Sequence, residues 1–403
     1  MGIQKYIRLK KELHDFLIQL LEKDDFSDQD NQDLIDFINS QNYLENREEF
    51  IYFLILLVNI SNNYHRGPNF IKNLENIILC LEELIKQILS NREIYGIFKN
   101  NKLIFLFLVQ RKILLFDEFI INDLEKNLMN ESDYCHFLFP EVKDLISKKL
   151  KKQIKKELLN CDSNIFDFFD EKRKIGENDS YISSLIREDK VEEFISYVNR
   201  ANIPSTSLIP HSFFETNSFL LENKNTSLIE YAAFYGSIQI FQYLNMNNAE
   251  LKPTIWLYVI HSNSAEMIHL LEENNVDSPD DTYEVCLLES IKCHHNDIAN
   301  YVKNNLVDQN FDESNRNKLI EKVFECSFHY SNYSYFPCDF NRFSAFFYLY
   351  RYHYLTLVNL FIKNEKDDLE RKIVFKAFYI YQIKSNFFVY QILKNFILMK
   401  FFL

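Results

Sequence analysis

The stretch Ser227-Leu228-Ile229-Glu230-Tyr231-Ala232-Ala233-Phe234-Tyr235-Gly236-Ser237-Ile238-Gln239-Ile240-Phe241-Gln242-Tyr243-Leu244 reads as two short helices joined at one glycine. Ala232 and Ala233 are small enough to let the first helix approach a neighbour closely. Gly236 takes the turn between the helices, and Ile240, Phe241 and Leu244 supply the apolar stripe that fills the core between successive units.

The same frame returns 27 positions on, from Thr254 to Leu271, with Tyr258, Val259, Ile260, Asn263, Met267, Ile268 and Leu271 in the matching places. It returns again from Val285 to Val302, where Ser290, Ile291, His294, Ile298 and Val302 hold them. A fourth copy ends with His353-Tyr354-Leu355-Thr356-Leu357-Val358-Asn359-Leu360-Phe361. The turn position therefore reads Gly236, Asn263, His294 and His353. Asn and His are among the non-glycine residues that best tolerate positive φ, so the substitutions still suit the turn. Residues 317–336 read as a damaged copy cut short by Pro337, and 373–393 as another. The spacing is irregular throughout.

This pattern resembles the ankyrin repeat, T-P-L-H-x-A-A followed by G-H and E-V-V-x-L-L. Upstream, Leu185 to Val198 resembles such a repeat with an altered first half, suited to a cap. Together with Ile209-Pro210-His211-Ser212-Phe213-Phe214-Glu215-Thr216-Asn217-Ser218-Phe219-Leu220, the chain looks like a large protist family of ankyrin-repeat proteins with an N-terminal domain of unknown function. The likeness covers residues 130–365 and, more loosely, the helices before them. It implies an all-α chain with a helical N-terminal module over 1–160 and an α-solenoid of degenerate ankyrin repeats over 181–403, and the polar run from Asn160 to Asn164 with Gly176 to Ser180 marks 161–180 as the hinge between them. It carries no activity with it. Leu228 in place of Pro and Glu230 in place of His depart from the pattern where the usual tight turn and its hydrogen bonds are made.

Composition agrees with helices. Among 403 residues, Phe (38) and Tyr (24) are abundant while Gly (5) and Pro (7) are scarce, which favours helices joined by polar Asn, Asp and Ser loops. Skewed codon usage accounts for the aromatics equally well, so they are not read as base-stacking platforms. The N-terminal half shows helical spacing through Ile7, Leu13, Phe16, Leu17, Leu20 and Leu21, and further helices are expected near 46–60, 69–90, 94–108 and 112–129. Phe139-Pro140-Glu141 starts another, expected to run to Leu159. This last helix carries Lys148, Lys149, Lys151, Lys152, Lys155 and Lys156, read chiefly as a solvated face, with a nuclear-import signal or basic docking face as the alternative.

The net charge of −13 argues against a general nucleic-acid or anionic-membrane binder. Neither a secretory h-region nor a myristoylation motif follows Met1-Gly2, so a cytoplasmic or nuclear location is expected. The apolar run Phe50 to Val58 is too short to span a bilayer and suits a buried helix, while the tail from Phe387 to Leu403, interrupted by Lys394 and Lys400, is read as a last helix rather than an anchor.

No catalytic or cofactor motif is present. The glycines, nowhere closer than 29 positions, exclude Walker A, G-x-G-x-x-G and G-x-S-x-G, and no His is followed by Glu. Seven scattered cysteines (Cys80, Cys135, Cys161, Cys286, Cys293, Cys326, Cys338) suggest reduced thiols, not a disulfide framework. Cys286, Cys293, His294 and His295 are the cluster that invites a metal, but their place in the repeat explains them as buried residues. Asp280-Asp281 and Asp367-Asp368 fall in loops. The expectation is accordingly a non-catalytic scaffold that binds an unknown protein partner, without cofactor or metal. Its contact residues would be the ridge of first-helix positions: Tyr231, Phe234, Tyr235, Tyr258, His261, Glu289, Lys292, Tyr348 and Arg351. Packing of the same aromatics against the N-terminal half is the competing reading. An enzyme of unfamiliar type with a site between the halves, and a nucleic-acid-associated protein using the basic helix 143–159, are the alternatives in function.

Overall fold

The computed structural model describes residues 2–40, 46–128, 134–307, 313–336, 348–349, 351–352 and 354–364. These residues are all-α. They contain no β-strand, only one isolated antiparallel bridge between Leu208 and Ser227. Lys11–Tyr335 form one compact unit, and the described residues of 1–10 and 336–364 belong to a second.

The N-terminal part is built of α1 (Ile3–Glu22), α2 (Asp28–Ser40), α3 (Arg47–Asn63), α4 (Phe70–Cys80), α5 (Glu82–Ile88), α6 (Asn91–Phe98), α7 (Lys102–Gln110) and α8 (Glu118–Leu128). Helix α3 is central because it is apolar on every side: Phe50, Phe53, Leu54, Leu56, Leu57 and Ile60 are all buried. Its start is fixed by Asn46, whose side chain accepts from the Glu48 amide, with Glu48 and Glu49 in the first turn to match the helix dipole. Among the described residues no helix is long and apolar enough to cross a membrane.

Short helices α9 (Tyr134–Phe137) and α10 (Phe139–Val142) follow, then α11 (Lys148–Cys161). The single helix expected from Pro140 to Leu159 is thus broken. At the break the Ser147 amide donates to Glu125 Oε1 on α8 at 2.7 Å instead of to a carbonyl one turn back, and Ser147 turns extended as it begins α11. Within the segment read as a hinge lie a 3-10 turn (Ile165–Asp167) and α12 (Phe169–Ile175), which stops at Gly176 with φ +67°. This segment is anchored. Arg173, 1% exposed, pairs with both oxygens of Glu141 at 2.6 and 2.9 Å and donates to the Phe137 carbonyl. Both of its ends lie inside the compact unit.

The stack comprises α13 (Tyr181–Arg187) with α14 (Val191–Ala201), α15 (Ser218–Glu222), then the pairs α16 (Leu228–Tyr235) with α17 (Ile238–Met246), α18 (Ile255–Ser262) with α19 (Ala265–Glu273), and α20 (Glu284–Lys292) with α21 (Asn296–Tyr301). Helix α22 (Glu313–Tyr330) closes it, and α23 (Leu355–Asn364) lies in the second unit. Ala232 and Ala233 are fully buried, as are Ile240, Phe241, Ile260, Met267, Leu271 and Ile291.

One geometry ends each first helix. Asp189, Gly236, Asn263, His294 and Ser331 all have positive φ, between 47° and 69°. The following amide reaches back five residues at four of them: Lys190 to Leu185, Ser237 to Ala232, His295 to Ser290 and Asn332 to Ser327, at 2.9 to 3.1 Å. This closes the last turn and satisfies carbonyls that the helix leaves open. Gly236, Asn263 and His294 were legible from the repeat; Asp189 and Ser331 were not, and His353 lies outside the described residues.

The residue after the turn then ties one unit to the one before. Ser237 Oγ donates to the Ile186 carbonyl, His295 Nδ1 lies 2.8 Å from the Ile260 carbonyl, and Asn332 Nδ2 donates to the Ile291 carbonyl at 2.9 Å. In each case the acceptor sits three residues before the preceding unit's left-handed turn, so the bond sets the register of the stack.

The two left-handed glycines should respond differently to a methyl group. At Gly236 a Cβ would meet Ser262 at an ordinary 3.6 Å, so Gly236→Ala should cost only the positive φ, about 1 kcal/mol. At Gly176 it would meet Leu103 Cδ2 at 2.7 Å, and Gly176→Ala should cost about 1 to 3 kcal/mol more through overpacking. Urea unfolding of the two variants checks this order, and equal losses would mean that the Leu103 contact is easily relieved.

Candidate functional site

The first-helix ridge is not an open surface. Tyr231 (1% exposed), Phe234, Tyr258 and His261 are buried and Tyr235 is half-buried. What covers them is the chain itself. Phe219 of α15 stacks on Phe234 with centroids 5.8 Å apart, meets Tyr258 edge-on at 4.9 Å and lies 4.1 Å from the His261 ring. The Lys292 ammonium sits 5.8 Å from the same Phe219 ring, and Ser218 Oγ donates to the Asn62 carbonyl at the end of α3. The aromatic area of Phe234, Tyr258 and His261 is thus buried against Phe219 of the C-terminal stack itself, neither open as expected for a ridge nor packed on the N-terminal half as in the competing reading. Tyr348 and Arg351 lie in the second unit, half-buried and exposed respectively, with Arg351 over the Tyr352 ring.

Three of the ridge residues do converge. His261 Nε2 is 2.8 Å from Glu289 Oε1, which also accepts from Lys292 Nζ at 2.9 Å. Cys293 Sγ lies 3.5 Å from both ring nitrogens of His261. Burial lowers the His261 pKa, so the ring is neutral near pH 7. Although burial opposes its charge, the hydrogen bond to His261 and the charge of Lys292 hold the Glu289 carboxyl below the usual carboxylate range. Burial likewise raises the Cys293 thiol well above its ordinary range. Cys286, His294 and His295 do not join this group.

Beside it runs a polar seam between the N-terminal helices and the stack. A cavity of about 60 Å³ is lined by His65, Arg66, Glu177, Asn217, Phe234, Tyr235, His261 and Ser262. Arg66 donates to Thr216 Oγ1 at 2.8 Å and faces Glu177 at 3.5 Å, and the Tyr235 hydroxyl donates to Glu177. Next to these, Glu215 accepts from the amides of Thr216, Asn217 and Asn178. Burial pushes its carboxyl well above the usual carboxylate range, and the Glu177 charge adds to the effect. The cavity is several-fold smaller than the roughly 300 Å³ at which small-molecule pockets begin, so it has room for water but not for a substrate of ordinary size.

The seam also holds a run of histidines. His14 Nε2 meets His294 Nδ1 at 2.8 Å, and His65 Nδ1 meets His295 Nε2 at 3.3 Å with Tyr64 edge-on to the latter ring. No local pattern announces these pairs, whose members are 280 and 230 positions apart in the chain. The same holds for Arg66, Glu177 and Glu215, which only folding brings together.

A second feature lies on the outside. On α11, Lys148, Lys149, Lys152, Lys155 and Lys156 are exposed, while Lys151 pairs with Asp144. Large apolar side chains flank them in sequence: Leu145 is 52% exposed and Phe168 57%, with Leu159 and Phe166 also open. No family model, no curated protein and no solved structure matches this chain.

The histidine seam dictates a pH dependence. Burial holds His294 well below its ordinary pKa with His14 and His295 adding, lowers His295 to about 3 with His65 adding, and lowers His65. The unfolded chain takes up protons on these rings from about pH 6.5 downward and the folded chain does not, so stability falls as pH drops below that point. Glu215, raised in the folded state, works the other way. With four groups against one, since burial lowers His261 as well, the net loss from pH 7 to 5.5 should be about 3 kcal/mol. His294→Asn, which keeps a residue suited to positive φ, should recover about 1 kcal/mol of that slope in urea titrations at the two pH values. An unchanged slope would place the titration elsewhere.

Proposed function

We propose that this protein is a non-catalytic interaction scaffold, a divergent ankyrin-type stack that uses its own ridge internally and meets its partner through the basic and apolar face of residues 143–168. The ankyrin reading is supported by the recurrent left-handed turn after each first helix and by the small Ala232 and Ala233 at the helix contact. The observation that carries the choice of face is the row of five exposed lysines on α11, flanked by open Leu145, Leu159, Phe166 and Phe168, in a chain of net charge −13. Concentrated positive charge with exposed large apolar side chains close by in the sequence suits an acidic amphipathic segment of another protein: charge steers the encounter and the apolar groups supply affinity. The ridge aromatics then serve as internal anchors for Phe219.

The test is binding of fluorescent acidic amphipathic peptides, compared with single-stranded RNA of equal charge, by anisotropy at two salt concentrations. Triple reversal of Lys149, Lys152 and Lys156 to Glu should weaken peptide binding at least about tenfold while leaving the melting temperature unchanged, because these side chains are exposed. Preference for RNA, or indifference of peptide binding to the reversal, would remove this face as the partner site.

A further inference from the structure

We propose that His261, Glu289 and Cys293 form a site for one divalent transition-metal ion of the zinc class. The donors come from neighbouring units of the stack: His261 lies in the last turn of α18, and Glu289 and Cys293 lie four apart at the end of α20, one above the other on one helix face. One ligating atom from each lies within 4.8 Å of the other two.

The spacing fits a shared tetrahedral ion. With metal–sulfur near 2.3 Å and metal–nitrogen near 2.0 Å, two such ligands stand roughly 3.5 Å apart. The Sγ of Cys293 lies 3.5 Å from both nitrogens of His261, over the ring face, so the imidazole has to turn to aim a lone pair at an ion shared with the thiolate. The His261 Nε2 to Glu289 Oε1 distance of 2.8 Å needs to open by only about half an ångström. Thiolate and imidazole together select zinc-like ions over magnesium or calcium, which take oxygen donors. The surroundings are those of a built site. Lys292 donates to the Glu289 carboxylate and orients it, while Phe219 and Phe234 lie against the His261 ring and hold it in place.

The charges balance. His261 is neutral and coordinates through a ring lone pair, Glu289 is already ionised, and the Cys293 Sγ–H bond breaks as the sulfur–metal bond forms, with the proton released to solvent. A dication thus meets two anionic donors and one neutral one. The fourth position is left to water, for which the cavity bordering His261 has room.

The experiment uses the full-length protein, stripped with EDTA and then dialysed against zinc, with metal content measured after desalting and cobalt used as a spectroscopic substitute. One zinc per chain is expected, with a thiolate-to-cobalt charge-transfer band in the near ultraviolet. Cys293→Ser should abolish the band, and Glu289→Gln, which keeps a hydrogen-bonding side chain of the same shape, should weaken zinc at least about tenfold. Cys161→Ser, removing the exposed thiol on α11, should change neither readout. The proposal is overturned if stripped, folded wild-type protein takes up no zinc, or if Glu289→Gln and Cys293→Ser stay folded by circular dichroism and bind zinc as the parent does. Should Cys293→Ser fail to fold, the zinc affinity of Glu289→Gln decides alone. Either overturning result identifies the cluster as an all-protein hydrogen-bond network.

Discussion

Everything in the stack depends on how a helix of eight or nine residues is stopped. Helices this short do not persist in water by themselves, because nucleation costs more than so few hydrogen bonds return. A left-handed residue after these helices turns the chain, and at three of the turns the next side chain reaches the carbonyl of the unit before. Ser237, His295 and Asn332 do this with three different chemistries: hydroxyl, imidazole and amide. The constraint is a donor of suitable length at that position, not a particular residue, so hydroxyl, imidazole and amide serve alike.

That tolerance also explains what was legible. Small and left-handed positions are chosen by sterics within a few residues, so Ala232, Ala233, Gly236, Asn263 and His294 could be read directly. Asp189 escaped because its unit lacks the alanine pair, although its carboxylate does identifiable work, accepting from the Gln239 and Ile240 amides at 3.0 Å to cap the next unit's helix. The break at Ser147 was invisible for a different reason: the competing acceptor, Glu125, lies 22 positions away, and no local propensity encodes it.

The candidate site was legible only as a set of residue types. The period groups Tyr231, Phe234, Tyr258 and His261 on one ridge, yet period alone does not say what faces a ridge. The answer lay in Phe219, upstream of the ridge on a five-residue helix. His261, Glu289 and Lys292, chosen as independent surface contacts, instead turned out to be one cluster because adjacent units bring equivalent positions side by side. The sequence sets Cys293 beside His294 and His295, whereas its chemical neighbour is His261 of the preceding unit.

The seating of Phe219 has a consequence for how this ridge evolves. A side chain carried on the same polypeptide is present at an effective concentration on the order of millimolar, so any outside peptide seeking the slot between Phe234, Tyr258 and His261 competes against a tethered rival that never dissociates far. Selection on the slot then acts through self-recognition. Positions that look like variable anchors for a partner are bound to change in concert with residues 215–222 and the end of α3, and the surfaces left to diverge with a partner are those the chain does not occupy.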